Sequence, residues 1–343
     1  MKQFVAFFVA GLMVCAGAHA QTATPAQIAT QAQTVTPAQT ATPAKKKPCA
    51  TEGSNNDFLG IQTIRLWPGD APEAKGTACE DIPTLTVFEP QGGSGIGSAV
   101  IILPGGAYSL LAGNIEGRQV ADWFAARGFR AFVLSYRLSS NGYILPVPLL
   151  DARRAVQTVR ARASDYKIDP NRIVIIGFSA GGHLAALSAT QFVPGNPDSA
   201  DPIEKVSSRP DYLVLGYPWI GAITLNPEQH LTYCKLFKLM DRCEELRVAY
   251  SPDLFVTKDT PPTFLYHTST DKTVPVDQSL RFYEALIKAG VPSEAHIFSN
   301  GPHGTGLGKG DAALDQWPNL LEIWLRAQGL LTPVKPVDAP KPK

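Results

Sequence analysis

Short apolar runs bounded by turn residues recur along the middle of the chain, with helical stretches between them. Runs that are apolar on both faces are typical of a mostly parallel sheet covered by helices, because such strands have no side exposed to water. The strands predicted in this way are residues 99–103, 130–134, 172–176, 212–216, 263–267 and, shorter, 295–298.

Helical patterns fill the intervals between these strands. Two further strands, at 61–66 and 85–88, precede them and are predicted to form an antiparallel edge. The alternation predicts a doubly wound α/β fold with helices on both faces of the sheet and right-handed crossovers. The predicted helices are 116–127, 146–163, 181–190, 276–289 and 314–328.

One interval, residues 218–262, breaks the alternation. It contains Trp219, Tyr250 and two cysteines but no strong strand or helix pattern. A connection this long inside a compact domain is usually a lid or a binding element. The alternative is a surface excursion without a functional role.

The first twenty residues have the order of a cleavable signal peptide. Met1-Lys2 is followed by an apolar stretch at 4–16 and by Ala18-His19-Ala20. This stretch is short for a membrane span, so we expect cleavage after residue 20, export to the periplasm or beyond, and no membrane association afterwards. A lipid anchor at Cys15 is the alternative, but Val14 is bulky for such a cleavage site.

Composition separates a core from two tails. Residues 21–48 consist mostly of Ala, Thr, Gln and Pro, and 333–343 are rich in Pro and Lys, so both are predicted to be disordered. Residues 49–332 are then one α/β domain. The formal net charge is +1, but the lysine-rich tails leave the core at about −5, which argues against a nucleic-acid partner.

Export would leave four cysteines in an oxidising compartment, where an even number predicts disulfides. Of the three connectivities we favour Cys49 with Cys79 and Cys234 with Cys243. A zinc site is the competing interpretation, but neither Cys-x-x-Cys spacing nor a histidine cluster supports it.

The strongest chemical signal follows the strand at 172–176. It is the run Gly177-Phe178-Ser179-Ala180-Gly181-Gly182, which leads into a helix rich in small residues. A G-x-S-x-G pattern between a strand and a helix is a nucleophile elbow, a tight turn that exposes a serine hydroxyl. Ser179 is therefore the predicted nucleophile.

A serine hydroxyl needs a base and an orienting carboxylate to act at neutral pH. His303 is the predicted base, because glycines flank it in a loop just after the last strand. Asp271 follows the strand at 263–267 and is the predicted carboxylate, with Asp277 as its competitor. The other histidines leave with the signal peptide or lie in the excursion, in strands or on the elbow helix: His19, His183, His230, His267 and His296.

The chain order of serine, aspartate and histidine is that of α/β-hydrolases. The oxyanion of such a reaction needs backbone amides as donors, and one is expected from Ala180, which follows the nucleophile. A second is expected from the loop after the strand at 99–103. Gly106 is the first choice there, with Gly105 or Ala107 as alternatives.

Several motifs in the same order resemble α/β-hydrolase acetyl esterases that act on xylan and related plant polysaccharides. The matching residues are Leu66-Trp67-Pro68-Gly69, Pro104-Gly105-Gly106, Glu116-Gly117, Leu134-Ser135-Tyr136-Arg137-Leu138, the elbow from Gly177 to His183, Asp271-Lys272-Thr273-Val274-Pro275-Val276, Gly301-Pro302-His303-Gly304 and Gly306-Leu307.

The resemblance implies a serine esterase that deacetylates a polysaccharide or oligosaccharide and requires no metal or cofactor. Ala107 stands where many relatives have a third glycine. Tyr108, Trp219 and Tyr250 are candidate platforms for sugar rings. Alternative functions are a generic short-chain carboxylesterase, a peptidase like the prolyl oligopeptidases, and a non-catalytic binding protein on the same fold.

Overall fold

The computed structural model describes residues 60–93, 95–221 and 247–334. Their central feature is an eight-stranded sheet with the order β1-β2-β4-β3-β5-β6-β7-β8. The strands are β1 (Thr63–Arg65), β2 (Thr84–Phe88), β3 (Ala99–Leu103), β4 (Arg130–Ser135), β5 (Ile173–Phe178), β6 (Tyr212–Gly216), β7 (Thr263–Thr268) and β8 (Ser293–Phe298).

The sheet is parallel except at one edge. β1 pairs antiparallel with β2, and β2 pairs antiparallel with β4. All remaining neighbours are parallel, from β4 beside β3 through to β8. The predicted α/β-hydrolase fold with its antiparallel edge is therefore confirmed.

Within the described ranges, five α-helices cover the two faces of this sheet: α1 (Gln119–Ala125), α2 (Val147–Ala161), α3 (Ser179–Thr190), α4 (Asp277–Lys288) and α5 (Trp317–Ala327). On one face α2, α3 and α4 pack against a cluster that includes Ile101 and Ile175. On the other face α1 and α5 pack against a cluster that includes Ile102 and Ile176. Neighbouring strand residues thus serve opposite faces, as the two-residue period of a strand requires.

Most elements differ from the sequence-based boundaries by one to three residues, and two of these differences have a clear structural reason. The helix predicted from residue 116 begins with a wider π-helical turn, Gly113–Arg118, which buries Glu116 and Gly117 before α1 starts. β8 begins at Ser293, two residues before the predicted strand, because Ser293 already pairs with Thr263. This strand lies at the sheet edge and is only partly buried, so polar residues take part in it and weaken the apolar signal.

Several predictions fall outside the described residues and stay predictions. Cys79 is disulfide-bonded, but the other cysteines of the two predicted pairs are not described. No helix in the described ranges is long and apolar enough to cross a membrane. The undescribed predictions are the signal peptide 1–20, the linker 21–48, Cys49, His230, Cys234, Cys243, positions 222–246 of the excursion and 335–343 of the tail.

Candidate active site

Ser179 lies where β5 turns into α3. Its φ of +52° is in the left-handed region, where a residue with a Cβ is strained by about 1–3 kcal/mol. The turn is closed tightly enough to require Gly181, since a Cβ there would lie 2.1 Å from the Leu103 carbonyl oxygen. The elbow motif thus has a steric reason, and it lifts the Ser179 hydroxyl off the carboxyl end of the sheet.

His303 connects this hydroxyl to a buried carboxylate. Its Nε2 lies 2.8 Å from Ser179 Oγ, and its Nδ1 lies 2.7 Å from Asp271 Oδ2. A carboxylate only accepts hydrogen bonds, so Nδ1 carries the proton in the neutral imidazole and Nε2 is free to accept the serine proton. The structure therefore brings together the three residues predicted from the sequence, and Asp277 is exposed at the start of α4.

Asp271 is held rigidly by donors on both oxygens. Oδ1 accepts hydrogen bonds from the Thr273 and Val274 amides at 2.8 and 2.9 Å, and Oδ2 also lies 3.3 Å from His267 Nε2. Burial by itself raises the pKa of Asp271, but the hydrogen bonds from His267, His303 and Val274 lower it well below its usual range. Asp271 therefore stays ionised and can stabilise a protonated His303.

The sequence analysis missed the contact between His267 and Asp271. It placed His267 correctly inside a strand, and the side chain is fully buried, with Nδ1 at 2.8 Å from Ser279 Oγ. Its Nε2 hydrogen is directed at the Val274 carbonyl oxygen, 2.9 Å away, as well as towards Asp271. The spacing of four residues between His267 and Asp271 was the only signal available in the sequence.

The oxyanion loop, residues 104–111, lies beside the nucleophile. Among the described residues, the amides of Gly106, Ala107 and Ala180 donate to no protein acceptor, so they remain candidates for the oxyanion hole. The prediction of Gly105 as an alternative oxyanion donor is wrong, because its N–H donates to Glu116 Oε2 at 2.7 Å. Gly105 instead provides space, since a Cβ on it would lie 2.9 Å from Ser179 Cβ.

Tyr108 is not a surface platform for sugar rings, contrary to the prediction. Its side chain is 1 % exposed, and its hydroxyl donates to Nδ1 of His183 at 2.8 Å. His183 in turn donates from Nε2 to the Tyr250 carbonyl oxygen at 2.7 Å. The backbone at Ala107 and Tyr108 is left-handed, with φ of +56° at both residues.

Trp219 and Tyr250 are half-buried and pack against the core cluster on the face of α2, α3 and α4. The Trp219 amide donates to the Ser179 carbonyl oxygen at 3.1 Å, which places this residue next to the nucleophile. The contact of either ring with a sugar remains a prediction.

We expect His183 to make stability pH-dependent. Burial lowers the pKa of His183 from 6.5 to about 4, although the hydrogen bond to Tyr250 acts in the opposite direction. The folded state therefore favours neutral His183, and its contribution to the free energy of unfolding is complete above pH 6.5 and is lost as pH falls towards 4. The loss is up to roughly 3 kcal/mol.

Chemical denaturation of wild type and His183→Asn between pH 7 and 4 measures this effect. The variant should be less stable at pH 7 but lose less free energy of unfolding over the same interval. Parallel pH dependences in the two proteins would contradict a buried neutral histidine.

No group of three or more His, Cys, Asp and Glu side chains within the described ranges is arranged to hold a metal ion. The described groups of the site supply a nucleophilic hydroxyl, an imidazole, a buried carboxylate and backbone amides without protein acceptors.

Comparison with known proteins agrees with this geometry. The BD-FAE family model matches residues 85–286. Endo-1,4-beta-xylanase B of Butyrivibrio fibrisolvens is 35 % identical over 60 % of this chain and 32 % of its own length. Acetylxylan esterase of Xylanibacter ruminicola is 31 % identical over 71 % of this chain and 48 % of its own length. The chain thus spans half or less of these curated relatives.

Solved structures match over nearly their whole length. An acetyl ester-xyloside bifunctional hydrolase from Caldicellulosiruptor lactoaceticus is 38 % identical, with a TM-score of 0.70, covering 78 % of this chain and 97 % of that one. A thermophilic esterase from Thermogutta terrifontis is 25 % identical, with a TM-score of 0.64, covering 80 % and 97 %. The chain therefore belongs to the BD-FAE family, and its core is a carboxylic ester hydrolase domain of α/β-hydrolase type that is similar to acetylxylan esterases.

Proposed function

We propose that the protein is a serine esterase that removes acetyl groups from an acetylated plant polysaccharide, xylan or a related hemicellulose. The observation that carries this proposal is the hydrogen-bonded series from Ser179 through His303 to Asp271. The amides of Gly106, Ala107 and Ala180 lie at the same end of the sheet without protein acceptors among the described residues. Together they supply a nucleophile, a base and an oxyanion site.

In the first half of the reaction, Ser179 Oγ attacks the acetyl carbonyl carbon while its proton passes to His303 Nε2. The carbonyl oxygen becomes an oxyanion, which the free amides stabilise. Asp271 stabilises the imidazolium through Nδ1. The sugar oxygen then leaves with the proton from His303, and the acetyl group stays on Ser179.

In the second half, water takes the place of the sugar. His303 accepts a proton from the water as it attacks the acetyl-serine carbonyl carbon. The second tetrahedral intermediate collapses, acetate leaves, and Ser179 Oγ recovers its proton from His303. Each step uses only groups of the site and water.

Two observations support a carbohydrate substrate. The names of the relatives include an acetylxylan esterase and an acetyl ester-xyloside hydrolase. A pocket of about 270 Å³ also lies beside the oxyanion loop, because Leu111 of that loop and Tyr136 are among its lining residues. The Tyr136 hydroxyl donates to the Pro104 carbonyl oxygen of the same loop at 2.7 Å. The pocket lining combines apolar side chains with polar and charged residues, namely Glu80, Thr84, Ser135, Arg137 and Asn141, a mixture that suits a sugar ring.

The test is acetate release from acetylated xylan, measured beside hydrolysis of p-nitrophenyl acetate. Release from both substrates, lost in Ser179→Ala, is the expected result. Hydrolysis of the aryl ester alone would contradict the polysaccharide substrate and favour a generic short-chain carboxylesterase. Cleavage of a prolyl amide with negligible ester hydrolysis would favour a peptidase. Failure of a fluorophosphonate probe to label the folded protein would favour a non-catalytic binding protein.

Trp219→Ala should raise KM for acetylated xylan several-fold more than KM for p-nitrophenyl acetate. The Trp219 amide donates to the Ser179 carbonyl oxygen, and an aromatic face binds a sugar ring but contributes less to a small acetate ester. Trp123→Ala is the matched control. Trp123 lies on α1, and its ring stacks on the Arg127 guanidinium, whose Cζ is 3.7 Å from the ring centroid. Equal changes in both KM values for Trp219→Ala would exclude a platform role.

We further propose that the protein is exported to the periplasm or secreted. The apolar stretch at residues 4–16 and the Ala18-His19-Ala20 motif support this, and a disulfide at Cys79 is compatible with an oxidising compartment. Amino-terminal sequencing of the mature protein should begin at Gln21. Retention of residues 1–20 would contradict the proposal.

A further inference from the structure

Glu116 is a buried carboxylate in the π-helical turn before α1, and the reaction described above does not use it. The residue is buried, with a relative exposure of 3 %. Oε2 accepts the Gly105 N–H at 2.7 Å, and Oε1 accepts the Tyr217 O–H at 2.8 Å. One carboxylate therefore contacts the oxyanion loop on one side and the end of β6 on the other.

The contact with Tyr217 continues to the loop that carries His303. Tyr217 OH accepts the Gly306 N–H at 2.8 Å, and the Tyr217 ring packs edge-on against the His303 ring, with centroids 5.0 Å apart. The Gly306 carbonyl oxygen is itself held by Tyr266 OH at 2.7 Å and by Trp317 Nε1 at 3.1 Å. Glu116 thus links the oxyanion loop to the histidine loop through a single intervening side chain.

The carboxylate also lies close to the reacting groups. A Cβ on Gly105 would lie 2.6 Å from Glu116 Oε2 and 2.9 Å from Ser179 Cβ, so only a glycine separates Glu116 from the nucleophile. Glu116 pairs with no lysine or arginine of the described ranges. Its electrostatic neighbours are Tyr136, Tyr217, Tyr266 and His303.

We propose that Glu116 is a positioning residue that holds the oxyanion loop and the histidine loop in place and, as a carboxylate, stabilises the imidazolium form of His303 during ester hydrolysis. The inference rests on the proposed serine esterase function. Glu116 exchanges no proton with substrate and forms no bond to it. Its negative charge favours the state in which the Ser179 proton has moved to His303 Nε2, in a buried setting where water screens the charge little.

The protonation behaviour of Glu116 gives the proposal a specific signature. The pKa of Glu116 is raised above its usual value, because the effect of burial exceeds the opposing effects of the hydrogen bonds from Tyr217 and Gly105 and of the charge of His303. The proposed role requires Glu116 to be ionised, so protonation of Glu116 contributes to the loss of activity at low pH, and Glu116→Gln removes that contribution. Removing only the Tyr217 hydroxyl should make Glu116 easier to protonate, since its carboxylate then loses a donor.

The test is the pH dependence of kcat/KM for p-nitrophenyl acetate in wild type, Glu116→Gln and Tyr217→Phe. In Glu116→Gln the acid limb should move to lower pH by roughly half a unit or more, and kcat should fall about tenfold with KM changed less than twofold. In Tyr217→Phe the acid limb should move to higher pH. Glu322→Gln, which removes a surface partner of Arg127, is the control and should keep the wild-type profile.

Shifts of the two acid limbs in opposite directions support the proposal, because loss of loop support alone would move neither limb. A lower kcat in both variants without a shift of the acid limb of kcat/KM would overturn the proposal. Wild-type kcat and a wild-type pH profile in Glu116→Gln would also overturn it. If Glu116→Gln does not fold, the acid limb of kcat/KM in Tyr217→Phe is the deciding measurement. An acid limb at the wild-type pH in that variant contradicts the proposal. Absence of Ser179-dependent hydrolysis in wild type would instead overturn the proposed function, and this inference with it.

Discussion

Replacing Ser179 with alanine should lower kcat for p-nitrophenyl acetate and for acetylated xylan by about 10⁴-fold or more. Without Oγ no acetyl-serine forms, and His303 at 2.8 Å from that atom has no nucleophile to deprotonate. The free amides near Gly106 and Ala180 would remain and account for any residual rate. The measurement is steady-state hydrolysis of both substrates, together with labelling by a fluorophosphonate.

Ser164→Ala is the matched control for this experiment. Ser164 is exposed just after α2, and in the described part of the chain its hydroxyl makes no hydrogen bond. This variant should hydrolyse both substrates at the wild-type rate and be labelled fully. If Ser179→Ala retains wild-type activity while it is folded by circular dichroism, Ser179 is not the nucleophile.

Asp271→Asn should lower kcat by about 10³- to 10⁴-fold, with little change in KM. Oδ1 of Asp271 accepts the Thr273 and Val274 amides, so the oxygen of an asparagine must take that place. The NH₂ group then faces His303 Nδ1, and two donors cannot share one hydrogen bond. His303 would shift its proton to Nε2, where it can no longer accept the proton of Ser179.

Asp277→Asn tests the competing carboxylate from the sequence analysis. Asp277 is exposed at the first position of α4, so its amide variant should retain kcat within about twofold, with at most a small loss of helix stability. Similar losses of kcat in the two variants would contradict the assignment of Asp271. A crystal structure of Asp271→Asn would show directly whether the amide nitrogen faces His303.

Local sequence patterns were sufficient to predict most of the fold. Runs such as Ile173-Val174-Ile175-Ile176 are apolar on both faces, and all four residues are fully buried in β5. The edge strand β8 was harder to delimit, because Ser293 and Glu294 reach the ladder through backbone pairing alone. Backbone hydrogen bonds do not depend on side-chain polarity, so a hydrophobic pattern misses such residues.

The candidate site was predictable where chemistry follows strand ends and turns. Ser179, Asp271 and His303 each follow a predicted strand, and the carboxyl ends of parallel strands meet at one edge of the sheet. The choice of oxyanion donor was not predictable, because an amide's direction depends on local φ and ψ. Gly105 and Gly106 are neighbours with the same side chain, yet Gly105 donates to Glu116 while Gly106 has φ of +125° and donates to no acceptor in the described residues.

Residue type and spacing along the chain therefore determined the strands, the nucleophile elbow and the order of serine, aspartate and histidine, since each strand, turn and motif shows as a local pattern of residue types. Three-dimensional packing alone decided the burial of Tyr108, the contact of His267 with Asp271 and the role of Glu116. Glu116 and Tyr217 are 101 residues apart, and no local pattern encodes which side chains meet when distant segments pack. Such contacts depend on the exact fit of neighbouring elements, which only the folded chain determines.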